Sequence, residues 1–388
     1  MSGARLLLVL CGATFLWAFG FGVHSQTASL ALAAAGAGDA AIGWNHAAYY
    51  LGLALASLAA PALIRRLGLR SAALGMAASG LCQVAFPHVG GIGPWLLLRF
   101  AGGLAGALSV VPLETAVSAG APPEQRSRFF ACYAVALTLG GALGIGAGLH
   151  LYQPDTTLVF WVGGLAPCLG ALLVTLLPAK ASPAEGAGTG RPLAWRRNLL
   201  SLGSAWYQGF LEGGMLAFLS LFLLHAGYGP DEAGLLMAVT MVGVILFQLP
   251  VGWLADRFGR RPVLLLCYAG ALAGLALVPW RTGPVELPIL LFVVGACSGA
   301  MYPLGLSMLG ADLPEADMPR AYAWYMALEC LGSQLGAGLM GSARDGFGDT
   351  AMFAVGLGAG LLVLTIAFLG SLGQRRQTEA PTFERRAA

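Results

Sequence analysis

Twelve apolar stretches, separated by short polar or glycine-rich breaks, take up nearly the whole chain. They run roughly over 5–34, 40–62, 70–87, 93–117, 127–150, 156–178, 198–226, 231–251, 262–280, 286–310, 320–343 and 349–373. Each is close to or above the ~20 residues that a helix needs to cross a bilayer. The pattern predicts an all-α integral membrane protein with twelve transmembrane helices. It leaves no room for a sizeable soluble domain.

Composition agrees. Of 388 residues, 57% are hydrophobic and 10% charged, against about 25% charged in soluble domains. The first stretch has two other readings. Arg5 and the apolar run ending at Ala33-Ala34-Ala35 mimic a signal peptide, and Leu8-Val9-Leu10-Cys11 mimics a lipoprotein cleavage site. The run is too long for a signal peptide, and Leu10 stands where the lipoprotein signal wants a small residue. We read it as the first helix.

The net charge of +3 conceals a strong asymmetry. With the N-terminus cytoplasmic and the helices alternating, all Lys and Arg except Arg99, Arg281 and Arg344 fall inside, which is 18 of 21. The positive-inside rule therefore predicts that both termini are cytoplasmic; the expected location is a bacterial inner membrane.

The run Gly252-Trp253-Leu254-Ala255-Asp256-Arg257-Phe258-Gly259-Arg260-Arg261 is a tight charged turn between two apolar stretches, on the predicted cytoplasmic side. A shift of about 191 residues lays the chain on itself. Leu63, Arg66, Gly68 and Arg70 then fall on Leu254, Arg257, Gly259 and Arg261. Gly43, Gly52 and Pro112-Leu113 fall on Gly234, Gly243 and Pro303-Leu304. With one more residue of offset, Arg128, Tyr133, Gly140, Gly144 and Gly146 meet Arg320, Tyr325, Gly332, Gly336 and Gly338. The predicted organisation is an N-terminal six-helix bundle over 1–178, a linker over 179–197, a C-terminal bundle over 198–373 and a tail over 374–388. Two such repeats imply a pseudo-twofold axis along the membrane normal.

The charged turn and its place in each half resemble the signature loop of Major Facilitator Superfamily transporters. The resemblance covers the whole chain and implies two pseudo-symmetric bundles around a central path. It implies a gate loop formed by Gly252, Asp256, Arg257, Gly259 and Arg261, with Arg65, Arg66 and Arg70 as the counterpart. In the family the loop's aspartate docks onto the other half, here near Ser127 and Arg128 at the start of the fifth helix. The first half departs from the pattern, because Arg65 stands where Asp256 would be. Its expected partner loop carries Asp312, Glu315 and Asp317, while the loop facing Asp256 carries Arg126 and Arg128 against Glu124. Two latches of opposite polarity are expected.

Ionisable residues inside a membrane are costly and point to function. Glu212 in helix seven, Glu329 in helix eleven and Arg99 in helix four are the leading candidates, with Glu114 beside them. A desolvated carboxylate that alternates between environments can load and release a proton. Arg99 opens Arg99-Phe100-Ala101-Gly102-Gly103, which resembles the family's fourth-helix Arg-Gly motif, linked to proton coupling in some members. The plainer alternative, an arginine bonding carbonyls at the outer helix end, stays open. In the family, helices one, four, seven and ten line the path, which implies that Glu212 faces it.

His24, Gln26, Asn45, His46, Tyr49, Tyr50, Tyr207, Gln208, Tyr302, Tyr325 and Gln334 are the polar and aromatic cavity candidates, and together they suggest a wet, mixed cavity. Gly140, Gly144 and Gly148 in helix five suit close helix packing. Drug antiporters of the family carry a Gly-Pro step where this chain has Gly144-Ile145. The seven cysteines form no C-x-x-C pair and the histidines are scattered, so no metal and no cofactor is expected. No phosphate-binding G-x-x-x-x-G-K-[ST], nucleophile elbow or H-E-x-x-H occurs, which speaks against an ATP-driven pump or an enzyme.

The expected function is a secondary active transporter, moving a small organic solute by alternating access with proton coupling. A proton-driven multidrug exporter stands as the alternative, and a non-transporting sensor or scaffold is the reading from another class. The expected partners are a small-molecule substrate, protons and the bilayer, with no nucleic acid. A monomer is expected.

Overall fold

The computed structural model describes residues 3–120, 126–154, 156–177, 198–311 and 318–379. Among them are twelve α-helices and no strand: α1 (Gly3–Ala34), α2 (Asp39–Leu67), α3 (Arg70–Ala85), α4 (Ile92–Gly120), α5 (Arg126–Leu151), α6 (Leu158–Thr175), α7 (Leu199–His225), α8 (Pro230–Phe258), α9 (Arg260–Leu277), α10 (Glu286–Ala311), α11 (Met318–Phe347) and α12 (Ala351–Glu379). Each coincides with one predicted stretch. In lipid a helix satisfies its own backbone polar groups, so membrane crossing and helicity go together.

Among the described residues, nine of these helices are long and apolar enough to cross a membrane by length and composition. The other three are α2, α3 and α11. Helix α3 has only 16 residues. Helices α2 and α11 carry polar groups in their interiors, Asn45 and His46 in one, Glu329, Ser333 and Gln334 in the other.

The charged turns are tighter than the sequence suggested. Helix α8 runs through Asp256 to Phe258 and breaks only at Gly259, with φ 91°. Helix α2 likewise runs to Leu67 and breaks at Gly68, with φ 57°. Each glycine donates its N–H back into the helix, Gly259 to Ala255 O at 2.9 Å and Gly68 to Ile64 O at 2.8 Å. Glycine adopts this left-handed φ without a Cβ clash. The signature residues before Gly259 are thus the last helical turn of α8. Helix α12 continues past 373 as far as Glu379.

The helices pair the same way twice. Helix α1 packs along α5 as α7 packs along α11, α2 along α4 as α8 along α10, and α3 along α4 as α9 along α10. The matched glycines occupy equivalent contacts. A Cβ on Gly144 would strike the Phe19 carbonyl of α1, and one on Gly336 the Phe210 carbonyl of α7. On Gly52 it would strike the Phe100 carbonyl of α4, and on Gly243 the Phe292 carbonyl of α10. Small residues let backbones approach closely where lipid supplies no hydrophobic drive between helices.

The two groups of six meet where α2 crosses α11 and α5 crosses α8. Gly43 of α2 faces Ala337 and Gly341 of α11, and Gly234 of α8 faces Gly146 of α5. Gly43 and Gly234 are themselves a matched pair. We call the end where α1 and α7 begin the near end, and the opposite one the far end.

Candidate functional site

Between the two groups of helices lies a cavity of about 410 Å³. Glu212 of α7 and Glu329 of α11 both line it. Gln208, one turn before Glu212, donates its Nε2–H to Glu212 Oε2 at 2.8 Å. The i, i+4 spacing puts amide and carboxylate on one helix face. Tyr49 and Tyr50 of α2 line the opposite side, and the Tyr50 hydroxyl is buried with no protein partner.

The rest of the wall is mainly apolar. Trp17, Phe21, Leu137, Ile145, Leu211, Met215, Met237, Met241 and Met326 are among its residues, with Ser57, Thr138, Thr240 and Ser298 as scattered hydroxyls. This differs from the wet, mixed cavity expected. Most of the polar residues behind that expectation lie within the helix packing and do not line the cavity.

Tyr207 is buried, stacks on Tyr268 at 5.2 Å and donates to Gly356 O at 3.2 Å. Tyr325 donates to Tyr302 O at 2.9 Å and pairs with Ser204 at 3.1 Å, its ring against that of Tyr302. Both tyrosines tie helices of the second group together. His24 is packed between Phe86 and Phe160. Asn45 is fully buried with neither amide atom bonded to protein. Gln334 and Glu114 are half-buried outside the cavity wall.

Arg99 also lies outside the cavity wall. It is 1% exposed, sits 5.2 Å over the Tyr49 ring and donates from Nη2 to His46 Nδ1 at 3.2 Å. The structure therefore does not bring Arg99 together with Glu212 and Glu329. Tyr49 stands between.

The far end is closed by polar contacts between the groups. Gln26 donates to Leu216 O at 3.0 Å, and Ser29 to Ala217 O at 2.9 Å, both from α1 to α7. Arg344 of α11 is fully buried, pairs with Asp39 of α2 at 3.1 Å and Asp349 at 2.5 Å, and lies 5.2 Å over Phe218. His150 of α5 meets Asp231 of α8 at 2.6 Å. The sequence reading gave Arg344 no role beyond facing out. A signal was present, since it is one of two arginines on that side and an acid opens α2.

At the near end Arg257 is exposed over the rings of Trp253 and Phe258, and Arg260 donates to Ser307 O at 2.7 Å. Arg66, Arg70 and Arg261 are exposed, and Gly252 is half-buried. The side chains of Asp256, Arg65, Ser127 and Arg128, and residues 312–317, lie outside the described residues, and so do both expected latches.

The family profile of the Major Facilitator Superfamily matches residues 10–229 and 201–387. The chain belongs to this family. An uncharacterised MFS-type transporter of Enterobacter sp. strain 638 is 25% identical over 382 residues, covering 97% of each chain. YcaD of Salmonella dublin, also an uncharacterised MFS-type transporter, is 25% identical over 375 residues, covering 94% of this chain and 93% of its own.

Solved superfamily members share the fold. The nucleoside transporter NupG superposes with a TM-score of 0.78 at 15% identity, covering 95% of this chain and 98% of its own. For a D-xylose-proton symporter the values are 0.73 and 16%, over 93% and 96%. For an inward-facing bacterial homologue of the lysosomal transporter Spinster they are 0.75 and 17%, over 96% and 97%. The Major Facilitator Superfamily fold thus accounts for both the paired helix contacts and the central position of the cavity.

Proposed function

We propose that this superfamily member is a secondary transporter that moves a small organic solute through the central cavity by alternating access, with protons as the coupling ion. The observation that carries the reading is the pair Glu212 and Glu329, one from each of two helices, facing the same cavity between the bundles. A carboxylate whose surroundings switch between water and an apolar wall exchanges a proton as they change. The seal at the far end, which closes one side of the path, supports alternating access. At about 410 Å³, the cavity suits a small organic molecule.

With the near end cytoplasmic, as the arginine distribution argues, the closed far end faces outward in a bacterial inner membrane. The apolar, methionine-bearing wall favours a solute with substantial apolar area. That observation supports the second reading, a proton-driven exporter of lipophilic cations.

Flux and pH change in proteoliposomes, measured with the wild type, Glu212→Gln and Glu329→Gln, test the coupling. We expect solute movement to bring protons with it in the wild type, and each variant to lose at least about 100-fold of the coupled flux. Full, pH-dependent flux in both variants overturns the coupling assignment. No flux of any solute by the wild type, across nucleosides, sugars, amino acids, carboxylates and cationic dyes, favours a non-transporting protein.

A further inference from the structure

Behind the cavity wall lies a second and far smaller space. Phe21 and Tyr49, whose rings are 5.1 Å apart, line both spaces and form the partition between them. The small space measures about 10 Å³, and Arg99, His24, Ser79 and Cys82 are among its walls. That is room for one water-sized particle.

Arg99 brings a positive charge to this space without an evident counter-charge. Its Nε and Nη1 find no protein partner, and it takes part in none of the ion pairs among the described residues. Its one hydrogen bond goes to His46. A guanidinium only donates, so His46 Nδ1 accepts and the ring proton sits on Nε2. That proton points at Ser29 Oγ, 2.9 Å away, and Ser29 in turn donates to Ala217 O. The chain of donors fixes His46 as neutral, so it cannot balance Arg99. A cation this deeply buried is expensive unless paired.

The groups around the space are suited to an anion. Two guanidinium nitrogens have free N–H groups, Ser79 adds a hydroxyl, and His24 Nδ1 is buried without a partner. We propose that Arg99, with Ser79 and His24, holds a single chloride ion here, apart from the carboxylates of the transport cavity. Chloride balances one charge, accepts N–H and O–H donors and is close to water in size. A substrate carboxylate or a phosphate is too large. The Arg99–His46–Ser29–Ala217 chain ends on α7 of the other bundle, so the bound ion helps hold the far-end contacts.

The purified full-length protein, unfolded thermally in sodium chloride, sodium bromide or sodium gluconate at equal ionic strength, gives the first test. Chloride and bromide should raise Tm saturably, by about 2–4 °C, and gluconate should not. The shift should persist in Glu212→Gln, which separates this site from the proton-coupling assignment. Ser79→Ala should raise the half-saturating chloride concentration several-fold, and Arg99→Gln should abolish the shift.

Crystals grown in bromide decide the matter should Arg99→Gln fail to fold. An anomalous peak within hydrogen-bond distance of the Arg99 guanidinium is the expected result. Absence of that peak, or density there fitting a water molecule only, overturns the site whatever the melting curves show.

Discussion

Tyr50 and Tyr207 carry the same chemical group into two different situations. The Tyr207 hydroxyl donates to a backbone carbonyl of α12, whereas that of Tyr50 is buried at the cavity with no protein partner. A buried hydroxyl left unbonded costs about 1–3 kcal/mol, and a satisfied one contributes about 1 kcal/mol. Tyr207→Phe should therefore lower the melting temperature by a few degrees at most and leave KM alone. Tyr50→Phe should leave stability unchanged or slightly raised. With whichever polar solute the reconstituted protein carries, it should raise KM roughly tenfold. Paired melting and flux curves check both. A KM effect from Tyr207→Phe, or none from Tyr50→Phe, would reverse their roles. Sequence alone did not separate these two tyrosines. Both lie in apolar helices, and a tyrosine's direction depends on which neighbour offers an acceptor.

Helix positions were legible because lipid imposes a length and an apolarity that each stretch had to meet. The repeat was legible too, since glycine, proline and arginine recur at a fixed offset. Hidden from the sequence was which helix each glycine touches. Gly43 looked like one matched glycine among several, and it lies where α2 crosses α11 between the bundles. A leucine there cannot fit without parting the two helices at the far end. Gly43→Leu, and separately Asp39→Asn, which removes the charge of one partner of the buried Arg344, should loosen the seal. In a background without native cysteines, Ser220→Cys on α7 reports on it, because Ser220 is fully buried there. Either change should speed its alkylation by a membrane-impermeant thiol reagent several-fold. The same slow rate in all backgrounds would mean that neither contact holds the far end shut.

The arginine distribution and the far-end seal are independent observations, and together they say which side of the membrane the seal would face. If the near end is cytoplasmic, as 18 of 21 cationic residues argue, the sealed side faces outward. Inverting the chain would place nearly all of that charge outside and turn the sealed end toward the cytoplasm. Single cysteines at Gly90 and Ala226, both exposed beside far-end turns, should react with an impermeant maleimide in intact cells. One at Phe258, exposed at the end of α8, should react only after the cells are opened. The opposite pattern would reverse the orientation. It would also move Arg344, Asp39 and the His150–Asp231 pair to the cytoplasmic side, and the α8–α9 signature loop would then face away from the cytoplasm. The positive charge around Gly259 and Gly68 makes that outcome costly, because Arg66, Arg70, Arg257, Arg260 and Arg261 would all have to cross the bilayer during insertion. The labelling pattern thus tests the orientation that places the sealed end outside.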